Sequence, residues 1–271
     1  MRSTLYGDFP HPELIESHLQ IGEVKESLYD VISAIESLKK SLSMQIALYG
    51  ESLHPQVADT CGKIAHVYES LGDYQHAEEY QRKGHSMNLK IYQAFPHPDL
   101  LSSYQSLADL EYLQGDYSSA LNSYQNGLKM QLKIYGDTPQ PQHVATSYNN
   151  LGAVYQSRGD YSSALEYYLK NLNINFVIYR HLPHPDIATA YDNIGAVYQS
   201  QGDYSSTLEY HQRSLNINLK IYGDRSHPAF NASYKNLAVI NQLQRLTSPG
   251  PGSNDQPTNS STPDNHPSDE L

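Results

Sequence analysis

Gly72-Asp73-Tyr74 recurs as Gly115-Asp116-Tyr117, Gly159-Asp160-Tyr161 and Gly202-Asp203-Tyr204, at spacings of 43, 44 and 43 residues. Upstream of these turns, His-Pro begins at His11, His54, His97, His184 and His227, with Pro141-Gln142 in the remaining slot. Downstream, a tyrosine falls near each unit's end: Tyr6, Tyr49, Tyr92, Tyr135, Tyr179 and Tyr222. Three independent markers that keep one register define a tandem array. A period of about 43 means a solenoid that grows by stacking units, not one enlarged core. The length of 271 residues, which alone suggests two domains, is overridden by the repeat.

One unit, residues 141–183, shows the physics. Val144, Tyr148, Leu151, Gly152 and Tyr155 recur at helical spacing and form one stripe of an amphipathic helix. Gly159 stops that helix, and Asp160 is placed to cap the next. The second helix carries Tyr161, Ala164, Leu165, Tyr168, Leu172 and Tyr179, mostly on one face. Neither helix buries its stripe alone. In other units Pro12, Pro98 and Pro185 open the first helix beside an acid, as suits a first turn and the positive end of the helix dipole.

These residues resemble the tetratricopeptide repeat. Tyr148, Leu151, Gly152, Tyr155, Ala164 and Tyr168 match its pattern in one unit, and Tyr191, Ile194, Gly195 and Tyr198 match in the next. The long period, the His-Pro openings and the Ile-Tyr-Gly ending resemble the kinesin light chain type of this repeat. Asn171 stands where a small residue is usual, and Thr207 and His211 replace the alanine and aromatic. The resemblance implies an all-α, right-handed superhelical solenoid of two-helix units with about eleven helices.

The expected units are 11–53, 54–96, 97–140, 141–183 and 184–226, with a capping helix over 227–246. Tyr29-Asp30-Val31 fills the Gly-Asp-Tyr slot of a degenerate first unit. Residues 5–12 match 221–228, so residues 1–10 read as the end of a truncated preceding repeat, and the chain as a piece or shortened relative of a longer array. From Thr247 the sequence is rich in Pro, Ser, Thr and acids, with no aromatic and no basic residue, so 247–271 is expected to be a disordered tail.

Composition narrows function. A net charge of −11 argues against nucleic acid or anionic membrane as the main partner. No apolar run approaches spanning length, and no signal peptide is visible. Cys61 is the single cysteine, which excludes an internal disulfide and fits a reducing, cytoplasmic compartment. Mean hydropathy is −0.61, and 24 Tyr against no Trp make tyrosine the main large packing residue.

Thirteen histidines invite a metal reading, but five of them open His-Pro turns one repeat apart and none has zincin-type spacing. They read as turn and capping residues. No phosphate loop or nucleophile elbow occurs, and Cys61 falls on the packing stripe. The sequence therefore predicts a protein without catalytic residues, metal or cofactor.

The working face is expected on the other side of each first helix. Thr146 and Asn150 recur one unit on as Thr189 and Asn193, and Asn236 follows in the last helix. In the resembling family this face lines the concave groove, where asparagine binds the backbone of an extended peptide; an amide offers both donor and acceptor. The competing reading is that these asparagines bond only to adjacent helices or water. Kinesin light chains hold acidic cargo motifs with basic groove residues, a part that only Lys63 and Lys235 could play here. A neutral or basic ligand segment fits the N-terminal half better. The resemblance implies a protein–protein adaptor, with kinesin heavy chain or its cargo as partner, though no heptad coiled coil occurs in the chain. Two alternatives stand beside it: a regulatory or sensor array belonging to a larger signalling or enzyme protein, and a structural spacer with no groove ligand.

Overall fold

The structure, a computed structural model, describes residues 10–50, 53–93, 95–135 and 141–223, together with residue 238. Ten helices and no strand occur among the described residues. In chain order they are α1 (Pro12–Ser27), α2 (Val31–Tyr49), α3 (Pro55–Ser70), α4 (Tyr74–Tyr92) and α5 (Pro98–Leu113). They continue as α6 (Tyr117–Tyr135), α7 (Pro141–Arg158), α8 (Tyr161–Ile178), α9 (Pro185–Gln201) and α10 (Tyr204–Tyr222). Every substantial contact joins consecutive helices, most extensively within the pairs α1–α2 to α9–α10. The fold is an all-α solenoid of tandem two-helix repeats. The expected capping helix, the residues before position 10 and the C-terminal tail lie outside the described residues.

Each pair begins with the same cap. His11, His54, His97 and His184 have extended backbone, and each ring Nδ1 accepts the N–H two residues on at 3.2–3.3 Å. Proline follows at the first helical position, where its missing donor costs nothing. The tyrosine that ends the previous pair then stacks on that imidazole. Ring centroids lie 3.8 Å apart for Tyr49–His54, 3.7 Å for Tyr92–His97 and 3.4 Å for Tyr179–His184. The hydroxyls of Tyr92 and Tyr179 donate to Asp99 and Asp186 at 2.5 Å. Burial, and then those carboxylates, push both phenols up to about 12. Where Pro141-Gln142 replaces His-Pro, Tyr135 and His143 stand 6.3 Å apart. The histidines that opened the units are thus the hinges of the joint between pairs.

Within a pair, the Gly-Asp-Tyr turn works through two residues. The glycine takes a left-handed conformation (φ 79°, 79°, 85° and 79° at Gly72, Gly115, Gly159 and Gly202), which costs it nothing. The aspartate then caps the second helix by accepting the N–H three residues on. The hydroxyls and then the backbone N–H groups of Ser119, Ser163 and Ser206 hold Asp116, Asp160 and Asp203 below the ordinary carboxylate range, and the backbone N–H and ring of His76 hold Asp73 there. In the degenerate first pair, Tyr29 occupies the glycine slot at φ 61° and is 91% exposed.

The two helices of a pair meet closest where the second carries a small residue. A Cβ on Gly84 would lie 2.9 Å from the Ala58 carbonyl oxygen. At the equivalent place Asn171 fills the gap and donates to the Ala145 carbonyl at 2.7 Å, and Ser41 does the same to Ile15 at 3.2 Å. The departure at Asn171 therefore meets the same carbonyl by a hydrogen bond instead of by close approach. A second contact runs the other way: Gly152 lies flat under the Tyr168 ring and Gly195 under His211. Ile64, Leu107, Leu151 and Ile194 share one slot and are buried, as are Val67, Leu110, Val154 and Val197 in the next. Their counterparts on α1, Ile21 and Val24, are 43% and 58% exposed, because among the described residues no preceding pair covers them.

Two outcomes follow from this geometry. Tyr29→Gly relieves a left-handed tyrosine and should stabilise the fold by about 0.5–1 kcal/mol, read as a higher urea midpoint. Gly152→Ala puts a methyl 2.7 Å from the Tyr168 ring and should cost about 1–3 kcal/mol. Gly62→Ala, with nothing within 4 Å of its new carbon, should instead gain up to about 1 kcal/mol.

Candidate peptide groove

Two hollows open between first helices, each floored by the second helix that joins them. The larger, about 510 Å³, lies between α3 and α5 over α4; the smaller, about 250 Å³, lies between α7 and α9 over α8. They are one site repeated. Pro55, Ala58, Asp59 and Gly62 in the first correspond to Gln142, Ala145, Thr146 and Asn149 in the second. Gly84 and Asn88 on the floor become Asn171 and Asn175, and Asp99 and Ser102 on the far wall become Asp186 and Thr189. Every residue lining the smaller hollow has its counterpart two units earlier in the larger one.

The residues expected from sequence fall in three groups. Thr146 and Thr189 line the second hollow, and Lys63 lines the first. Asn150 and Asn193 line neither. Asn193 Nδ2 donates to Asn149 Oδ1 at 2.7 Å, from one first helix to the one before it. Asn150 lies near the Tyr124 hydroxyl, which itself donates to Asp109. Asn236 and Lys235 lie outside the described residues.

The floor residues were not anticipated. Gln45, Asn88, Gln131, Asn175 and Asn218 occupy one slot of successive second helices and are all buried. Asn88 Nδ2 and Asn175 Nδ2 each reach 3.5 Å to a carbonyl in the first turn of the next pair, Asp99 and Asp186. Their strict recurrence in register was the available signal. It was hidden because polar residues inside an apolar stripe resemble mere interruptions.

The two hollows differ in charge. Asp59, Glu69 and Asp99 line the first, against Lys63 alone. Lys63 Nζ sits 2.7 Å from Glu23 and 3.5 Å from Asp59, so its charge is already shared. Burial, with Arg82 nearby, lowers the pKa of His85, which keeps that ring neutral. The second hollow is lined by amides and hydroxyls, with Asp186 as its acid.

Burial pushes the Cys61 thiol up to about 11, so it stays protonated. His211 and Ser214 both bond to Asp192, at 2.8 and 2.7 Å; the serine hydroxyl serves the carboxylate and not the ring. Among the described residues no group of His, Cys, Asp or Glu could hold a metal, and no helix is long and apolar enough to cross a membrane.

Family models described as tetratricopeptide repeat match residues 58–90, and then 100–143, 144–175 and 187–229, together more than half of the chain. The chain is a tetratricopeptide repeat protein. Solved structures agree with that assignment. BtubC (BKLC) from P. vanneervenii is 21% identical with a TM-score of 0.65, over 79% of this chain and 83% of that one. A putative kinesin light chain from Podosopora anserina is 21% identical with a TM-score of 0.67, over 79% of this chain and 99% of that one. A Rap protein complexed with competence and sporulation factor is 16% identical with a TM-score of 0.54, over 86% of this chain and 64% of that one. At these identities the likeness is one of fold. No curated protein matches the repeat array in sequence.

Proposed function

We propose that the protein is a non-catalytic interaction adaptor that holds an extended segment of a partner along its concave groove. The observation that carries this reading is the repetition of one hollow two units apart. A peptide is itself a repeating ligand, and a surface with repeating subsites can hold its main chain over several residues. The walls offer what such a chain needs. Asn149, Thr146 and Thr189 bring both donors and acceptors, while the small Ala58, Gly62 and Ala145 leave the floor open. A Rap protein of the same fold, complexed with competence and sporulation factor, supports ligand binding by such an array. The fold shared with a putative kinesin light chain supports a cargo-adaptor role of that kind, and the single buried thiol supports a cytoplasmic setting.

The groove differs in place from the asparagine ladder read in the sequence. Asn149, one residue before Asn150, lines the hollow, so Asn149, Thr146 and Thr189 are the proposed contacts, with Lys63 at the other end. Gly62 and Asn149 share a slot in the two hollows, and a Cβ on Gly62 meets nothing within 4 Å. Gly62→Trp with Asn149→Trp should therefore obstruct both hollows while leaving circular dichroism and melting temperature nearly unchanged. Peptides selected from a displayed random library on the wild-type protein should bind this variant at least about tenfold more weakly. Lys129→Trp, on an exposed position lining neither hollow, should bind them normally. Equal binding by the obstructed variant, or failure of any peptide to be enriched, would contradict the groove reading.

A further inference from the structure

We propose that the first hollow is a cation subsite, which selects a ligand segment carrying lysine or arginine there and neutral residues over the second. This rests on the groove reading and adds the ligand's charge pattern. Three features of the α3–α4–α5 hollow point to it.

The first is the charge balance. Asp59 and Glu69 come from α3 and Asp99 from the first turn of α5, so carboxylates face the hollow from both walls. Lys63 is the lysine among the lining residues, and it is shared between Glu23 of the preceding pair at 2.7 Å and Asp59 at 3.5 Å, one cation against several carboxylates. The Glu69 carboxylate has no hydrogen bond or ion pair from any described side chain to offset it. The second feature is a buried acceptor. Asn88, 7% exposed, lies on the floor with its Nδ2 turned to the Asp99 carbonyl. Its Oδ1 has no partner at all. An amide oxygen left without a donor is costly, and an ammonium or guanidinium, which brings only donors, is the group that satisfies it without adding an acceptor.

The third feature is the comparison within the chain. In the second hollow the Asp59 slot is Thr146 and no counterpart of Glu69 lines the site, so Asp186, the counterpart of Asp99, is the acid that remains. There Asn175 Nδ2 bonds Asn171 Oδ1 at 3.2 Å as well as the Asp186 carbonyl, and no buried atom of it is left unpaired. The two copies of one site have therefore diverged toward different side chains. A ligand spanning both reads basic over α3–α5 and neutral over α7–α9. An acidic segment is opposed at the first hollow by three carboxylates.

The test uses three fluorescein-labelled peptides of equal length and identical Gly/Ser/Thr backbone, with lysine, glutamine or glutamate at the same positions, titrated against the full chain by anisotropy. The lysine peptide should bind about tenfold tighter than the glutamine peptide, with glutamate weakest, and the gap should narrow with added salt. Asp59→Asn with Glu69→Gln should bring the lysine-to-glutamine ratio down to about twofold. Lys63→Gln should widen that ratio. Equal binding of all three peptides would leave the groove standing and overturn the cation subsite. So would tighter binding of the glutamate peptide, or a ratio that survives the double substitution. If no peptide binds the wild-type chain at any accessible concentration, the groove reading and the cation subsite both fall.

Discussion

Half-apolar helices are the constraint on which this structure depends: each can bury its stripe only against the next helix in the chain. That makes the spacing between helices the critical dimension. It is set at two kinds of contact: in three pairs a second helix meets a carbonyl of the first, and in the last two pairs an aromatic ring lies across a glycine. Gly84, Asn171 and Ser41 satisfy the same carbonyl in different ways, by close approach or by a donated hydrogen bond. The array tolerates sequence change at such a slot as long as the separation and the bonding are both preserved. The joint between pairs has its own device, a capping histidine clamped under the preceding tyrosine. One joint departs from it, beside Pro141-Gln142, and there the two rings stand apart.

A solenoid held this way leaves hollows open between successive first helices, over the second helix that joins them. The first helices spend one face on packing and present the other to the groove. The second helices show the groove only a narrow floor, and buried amides occupy it in every pair. Asn88 and Asn175 use part of their bonding capacity to hold the first turn of the next pair. The floor is thus both a structural seam and the base of the proposed site. Charge along the groove is uneven because the walls, which carry no packing load, are free to vary between Asp59 and Thr146, or between Gly62 and Asn149.

Much of this was legible in the sequence. The Gly-Asp-Tyr turns, the His-Pro openings and the closing tyrosines mark helix ends, where a few residue types satisfy the backbone and the signal is sharp. On the apolar stripe of residues 144–155, Val144, Leu151 and Gly152 are buried and Tyr148 and Tyr155 half-buried, and Cys61 lies in the core as its position on the stripe required. The groove was harder. Exposed faces carry no periodic constraint, so Asn150 and Asn149 are indistinguishable by pattern, and a rotation of 100° decides which one faces the hollow. Asn150 turns to Tyr124, and Asn193 to Asn149, because partners are available across the helix interface. The bonding of Lys63 to Glu23 was equally invisible, since the two are 40 residues apart and meet only when successive first helices lie side by side.

The most direct measurement is amide hydrogen exchange on the full chain, with and without a peptide selected on it. If the concave surface is the working surface, slowed exchange should be confined to the groove-lining stretches 55–69 and 98–106 and, further along, 142–149 and 186–189. The turns on the outer edge, at Leu71 and Leu113, should exchange at the same rate in both states. Protection centred on those turns, or spread evenly over every helix pair, would contradict the account and place the binding surface elsewhere.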